Sequence, residues 1–218
     1  MGNSVSENSG HTAELLRRVA AGDQRVWGEL LMAHRERLRT MVALRLDRRL
    51  KGRIDPSDVI QEAFLDASRQ VADYVKDPTI PFFLWLRLVT SQRLVALHRR
   101  HLGTQARNAG RDVALFHGPY PEASSAALAE RLLGRDTRPS EAAVRAERAV
   151  RLQEGLNALE PLDREVLALR HFEQLSNAEA AQVLGVAPAA ASKRYVRALQ
   201  RLKEVLQTMP GGLQGLQP

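Results

Sequence analysis

Apolar residues recur at helical spacing along most of this chain. Trp27, Leu30, Leu31, His34, Leu38, Met41 and Val42 form one stripe, with Arg35, Arg37, Arg39 and Arg45 on the other face. That is the signature of a long amphipathic helix. A shorter helix is expected before it, over 12–20, and Gly22-Asp23 breaks the chain, with Asp23 placed to cap the long helix. Asp55-Pro56-Ser57-Asp58 is a second helix start: Asp55 can cap, Pro56 suits the first helical position, and Asp58 meets the positive end of the helix dipole. That helix should run to about residue 73. Asp77-Pro78 and Pro81 bracket a loop. A third long helix is expected over 81–101, with Leu84, Leu88, Ser91, Val95 and His98 as its core stripe, widened by Trp85 and Leu94.

Beyond Gly103 the pattern fades into Gly and Pro, and residues 109–145 read as an interdomain linker with at most a short helix near 126–133. Helical spacing returns at about 141–159, and Pro161 opens a helix with Leu162, Val166 and Leu169 on one face. Ser176-Asn177-Ala178-Glu179 fits a capping box. Leu184-Gly185 ends that helix, and a last one is expected from Pro188 to about residue 207. The pattern predicts an all-α protein of two small helical domains, at 12–108 and 146–207, joined by a flexible linker. Residues 1–11 and 208–218 are expected to be disordered tails.

Composition agrees: helix formers dominate, and aromatic residues are only 5%, so the cores must be built from Leu, Val and Ala. Cysteine is absent, which removes disulfides, thiolate metal sites and cysteine nucleophiles, and fits a cytoplasmic location. No apolar run approaches the roughly 20 residues a membrane span needs, and no membrane partner is expected. The net charge of +7 favours polyanions. The excess is clustered: between Phe82 and Arg111 lie Arg87, Arg93, Arg99, Arg100, Arg107 and Arg111, and no Asp or Glu.

The strongest constellation is 176–203, where a capped helix, a glycine turn and a basic helix make a helix-turn-helix. Ala191, Tyr195, Ala198 and Leu202 should face the bracing helices. Lys193, Arg197, Gln200 and Arg201 should face outward, and the small Ala189, Ala190 and Ser192 allow close approach to bases. The competing reading is a surface helix with a solvated basic face. The second constellation pairs an acidic helix, carrying Asp58, Gln61, Glu62 and Asp66, with a basic aromatic one carrying Phe82, Phe83, Trp85, Arg87 and Arg93. Aromatic faces can stack unpaired bases and arginines can hold phosphates, although at least one of Phe83 and Trp85 is expected in the core.

These regions, in this order, resemble the extracytoplasmic-function sigma factors of RNA polymerase. The run Asp55-Pro56-Ser57-Asp58-Val59-Ile60-Gln61-Glu62-Ala63-Phe64-Leu65-Asp66-Ala67 is similar to the family's second domain, as are Phe83-Leu84-Trp85-Leu86 and Leu97-His98-Arg99-Arg100. Leu162-Asp163-Arg164-Glu165-Val166-Leu167, Leu175-Ser176, Ala180, Leu184-Gly185 and Lys193-Arg194 resemble its fourth domain. The run from Ala189 to Tyr195 resembles a lineage seen in planctomycete genomes. The resemblance implies core RNA polymerase and promoter DNA as partners. It implies that Asp58, Gln61, Glu62 and Asp66 face the β′ clamp helices and that the fourth domain meets the β flap. It implies that the loop 74–82, with Tyr74, Phe82 and Trp85, captures a flipped base, while Arg87, Gln92, Arg93, Arg99 and Arg100 line the displaced strand. It implies that Ala189, Ala190, Ser192, Lys193, Arg194, Arg197 and Arg201 meet the minus-thirty-five element as duplex. An anti-sigma factor is a further implied partner. The family often has Asn at Gln92, Asp at Ala96 and Thr-Val at Ala190-Ala191, so base preference does not carry over.

An enzyme is not expected: no phosphate-binding glycine loop, nucleophile elbow or metalloprotease motif occurs. Neither a cofactor, a metal nor a small-molecule substrate is anticipated, since His98 and His101 share a helical face without matched ligands nearby. The alternatives are a free-standing helix-turn-helix repressor or activator, with 12–110 sensing or dimerising, and a helical adaptor that binds only protein. The acidic helix beside the basic aromatic one favours the sigma-factor reading over both.

Overall fold

A computed structural model describes residues 4–102, 121–134 and 142–208. Residues 109–120 and 135–141 of the expected linker and the tail beyond 208 lie outside the described residues. Within them the chain forms helices and turns and no strand: α1 (Ser4–Ala20), α2 (Gln24–Arg45), α3 (Pro56–Lys76), α4 (Phe82–Leu102), α5 (Ser125–Leu132), α6 (Ala142–Asn157), α7 (Pro161–Leu167), α8 (Asn177–Leu184) and α9 (Pro188–Gln207). A 3₁₀ turn at Arg48–Leu50 precedes α3, and a π turn at Ala168–Phe172 continues α7. Two compact units result, one of residues 1–42 and 50–108, the other of 43–49 and 109–218.

In the first unit the expected helix starts are present. Asp23 Oδ1 accepts from Val26 N at 3.1 Å, and Asp55 Oδ1 accepts from Ser57 N at 2.7 Å ahead of Pro56. In α2, Trp27, Leu30, Leu31, Leu38, Met41 and Val42 of the expected stripe are buried, with Val26 beside them, and His34 is partly buried. The first half of α4 is buried on nearly every side, from Phe82 through Arg87 and on to Ser91, with Leu88 partly so. α1 departs from expectation, because the chain is helical from Ser4 rather than from residue 12. Ser and Asn cost only about half a kcal/mol each against Ala in a helix. A formed helix over 12–20 therefore extends through them without a new nucleation step.

The second unit is built on Leu128, Leu152, Leu156, Leu167, Ala198, Leu202 and Leu206. Here the linker expectation is corrected over 123–133. Ala123, Ala127, Leu128 and Ala129 belong to this core, and α5 is capped by Ser124, whose side chain accepts from Ala127 N. Alanines give little periodic contrast in sequence, yet they bury well once a neighbouring helix approaches. Segment 43–49 also belongs to this unit. Leu44 lies in its core, and Arg45, expected on a solvated face, is buried between Glu165 and Glu173, the latter at 2.5 Å. Burial alone works against the Arg45 charge, but the two carboxylates outweigh it and hold the guanidinium above its usual pKa. Leu162, expected inward with Val166 and Leu169, is exposed, whereas those two are buried.

Candidate nucleic-acid interface

The helix-turn-helix is assembled by local chemistry. Ser176 Oγ accepts from Glu179 N at 3.2 Å, and Ser176 N donates to Glu179 Oε2 at 2.7 Å, closing a reciprocal capping box. Gly185 ends α8 at φ 63°, a left-handed conformation that a glycine adopts without strain. Asn177 Nδ2 donates to Pro188 O at 2.8 Å and ties the start of α8 to the start of α9. α9 buries only Ala191, Ala198, Leu202 and Leu206, with Tyr195 half-buried beside them. Ala189, Ser192, Lys193, Arg197, Gln200 and Arg201 are exposed, and Ala190 and Arg194 are partly so. A thin buried stripe therefore leaves most of the circumference of α9 available to a groove.

Two of the expected duplex-binding arginines are held from within. Asp163, in the first turn of α7, has a side chain only 3% exposed. Its Oδ1 accepts from Arg194 Nη1 and Arg197 Nη2, both at 2.8 Å, and its Oδ2 accepts from Arg197 Nε at 2.5 Å. Glu160 Oε2 accepts from the same two groups at 3.1 and 3.4 Å. The Arg197 guanidinium, followed by that of Arg194, holds the Asp163 carboxyl below the usual carboxylate range despite its burial. Arg201 pairs with Glu204 at 2.9 Å. Neither Asp163 nor Glu160 was singled out from sequence as a partner of these arginines. The available signal was matched spacing, two acids three apart and two arginines three apart.

On the first unit, Asp58 and Gln61 are exposed, and Glu62 and Asp66 partly so, along one face of α3. The structure brings two of these acids onto an expected DNA contact: Arg93 Nε lies 3.3 Å from Glu62 and 3.0 Å from Asp66. Asp58, Glu62, Arg93, Arg100, Arg53 and His101 line a cleft of about 150 Å³. Gln92, Arg99 and Arg100 are exposed, and Arg87 is buried. The aromatic residues lie inside rather than on the surface. Tyr74, Phe82, Phe83 and Trp85 are all buried. Tyr74 stacks on Trp85 at 4.6 Å, Phe82 lies 5.7 Å from Trp85, and Trp27 meets Phe82 edge-on at 6.1 Å. The faces expected to receive a base are thus covered by one another. Large rings bury too much area to stay in water when a core is within reach. Tyr74 Oη donates to Ile80 O at 2.8 Å, so the cluster fixes the loop between α3 and α4 from beneath. Burial pushes the Tyr74 phenol up to about 12. Among the described residues no helix is long and apolar enough to cross a membrane.

Against known proteins, residues 149–202 match the family model for sigma-70, region 4. The chain is 30% identical over 203 residues to the RNA polymerase sigma factor CnrH of Cupriavidus metallidurans, across 88% of this chain and 92% of that protein. It is 30% identical over 207 residues to the probable RNA polymerase sigma factor RfaY of Xanthomonas campestris pv. campestris, of whose length it spans 45%. It is 29% identical over 186 residues to the ECF RNA polymerase sigma factor SigD of Mycobacterium tuberculosis, across 85% of this chain and 79% of that protein. The structure of CnrH in complex with the cytosolic domain of CnrY shares the fold, with a TM-score of 0.54 at 24% identity over 91% of this chain and 98% of that one.

Proposed function

The chain belongs to the extracytoplasmic-function sigma factors of RNA polymerase, and from that premise we propose a division of labour between its two units. The acidic face of α3, with Asp58, Gln61, Glu62 and Asp66, docks on the β′ clamp helices of core polymerase. The loop between α3 and α4 receives a base from the melted promoter strand, supported from below by Tyr74, Phe82 and Trp85. Gln92, Arg99 and Arg100 guide the displaced strand, joined by Arg93 when it leaves its carboxylates. α9 enters the major groove of the minus-thirty-five element, and the second unit also contacts the β flap. CnrH has been solved with the cytosolic domain of CnrY, and a protein regulator of that kind, an anti-sigma factor, is proposed as a further partner of this chain.

The physics needs no reacting group from this chain. Unstacking a base costs a few kcal/mol. Phosphate contacts and the captured base offset that cost, and the phosphate term weakens steeply with salt. With both units on one chain, binding of the second promoter element is intramolecular and gains from a high effective concentration. The observation that carries the reading is α9 itself, buried along one stripe only and preceded by α8, which a complete capping box closes. The test is run-off transcription from a promoter library with purified core polymerase, with and without the chain. The reading expects chain-dependent initiation at a shared sequence, abolished by Asp58→Lys with Glu62→Lys. Unchanged initiation without the chain, together with polymerase-independent binding to a palindromic duplex, would replace it with a free-standing regulator.

A further inference from the structure

We propose that Asp163 is a specificity-determining residue of promoter recognition: it occupies the bidentate edge of Arg197 and the end of Arg194, and so decides which donors of α9 can read bases. The inference rests on the proposed duplex-reading role of α9 and adds a residue outside that helix.

An arginine distinguishes guanine by offering two parallel N–H groups to O6 and N7. In this structure the corresponding fork of Arg197, Nε and Nη2, is already closed on the two oxygens of Asp163 at 2.5 and 2.8 Å. Glu160 Oε2 adds a further acceptor to Nη2. The side chain of Arg197 is nevertheless 56% exposed, so the guanidinium reaches solvent with its fork turned inward. What remains outward is the Nη1 edge, suited to a single acceptor such as a phosphate oxygen. Arg194 is more enclosed, and its Nη1 is shared between the same two carboxylates. Two arginines and two acids make a neutral quartet on the flank of α9. Base reading is thereby left to the exposed Ser192 and Lys193 and to close approach at Ala189 and Ala190.

Asp163 is suited to this control because it is held by three hydrogen bonds to the two arginines. Its side chain is buried, it sits in the first turn of α7, and its carboxyl stays ionised through the physiological range. It touches no DNA in this scheme and is a positioning residue. A role confined to stability would change how much folded protein is present without changing which sequences are preferred.

The experiment uses the full chain with core polymerase on a promoter library randomised across the upstream element. Transcripts are sequenced for wild type, Asp163→Asn and Glu160→Gln, and each protein's thermal melting is recorded. Asp163→Asn should open the Arg197 fork and raise the preference for guanine at one or two adjacent upstream positions. The shift should be at least about fivefold, the low end of what one bidentate arginine contact discriminates. Preferences in the melted element should stay as in wild type. Glu160→Gln, at a side chain 65% exposed, should shift the same positions by about twofold. An upstream ranking identical to wild type in both variants would overturn the proposal, whatever the melting temperatures. If Asp163→Asn does not fold, Glu160→Gln decides by the same criterion. A wild-type holoenzyme with no upstream preference would instead sink the duplex-reading role of α9, and this inference with it.

Discussion

α4 and α9 are both basic helices of about 20 residues, yet they hold their charges in opposite ways. α4 is buried on nearly every side through its first half and exposes cations only near its end, at Arg99 and Arg100. α9 buries a single stripe and exposes polar groups along its whole length. In α4 the aromatic residues are part of the core, whereas the small residues at the start of α9, Ala189 and Ser192, are exposed. The two helices also treat their arginines differently. Arg93 rests on the partly exposed acids of α3, a pair of the kind worth at most about 1 kcal/mol. Arg194 and Arg197 close on a buried carboxylate in a neighbouring helix.

The contrast is broken most severely by truncating the aromatic cluster. Trp85→Ala should destabilise the first unit by about 3–5 kcal/mol, seen as a lowered denaturation midpoint. The matching change on α9, Val196→Ala at a side chain 50% exposed, should stay within about 0.5 kcal/mol of wild type. Next in size is Gly155→Ala. A Cβ there would lie 2.5 Å from Val205 Cγ1, and forcing it in should cost about 1–3 kcal/mol through displacement of α6 from α9. Gly155→Ala combined with Val205→Ala should recover most of that loss, which a thermal melt can read. Ser176→Ala, by removing the cap that steadies α8, should cost about 1 kcal/mol.

Smaller and more diagnostic is the pH response, because the two regions should weaken at opposite ends of the scale. Tyr74 has its phenol raised to about 12. Its contribution is present below the usual tyrosine value, about 10, and is lost as pH rises from there through the folded value. Asp163 has its carboxyl lowered by Arg197 and Arg194. Its contribution is present above the usual aspartate value, about 3.9, and is lost as pH falls through the folded one. Near-ultraviolet circular dichroism of Trp27 and Trp85 should follow the alkaline loss. Asp163→Asn should remove part of the acid loss and leave the alkaline one unchanged.

Much of this was legible along the chain. The Asp55-Pro56 start, the Ser176/Glu179 box, the Gly185 stop and the inward stripe of α9 are local rules, each settled within a few residues, and all are present in the structure. The resemblance to the sigma-factor family supplied the functional frame. What stayed hidden depends on long-range assembly. Arg197 meets an acid 34 residues earlier, and Arg45 meets one 120 residues later, and no periodicity records such pairings. The short helix expected near 126–133 is present as α5, but its place in the second core was obscured, since a short run of Ala and Ser reads as linker until Leu128 is seen buried. Basic aromatic composition in α4 suggested an exposed stacking surface, but the area of the rings drew them inward.

The central claim is that one unit melts promoter DNA while the other reads it as duplex. Permanganate footprinting of the reconstituted holoenzyme on its preferred promoter, alongside nuclease protection of the upstream element, tests this most directly. The account predicts that Arg99→Glu with Arg100→Glu abolishes permanganate reactivity but preserves upstream protection. It predicts that Lys193→Glu loses upstream protection and that its residual open complexes keep the wild-type melted boundaries. Joint loss of both signals in each variant, or upstream protection indifferent to Lys193, would contradict the division of labour between α4 and α9.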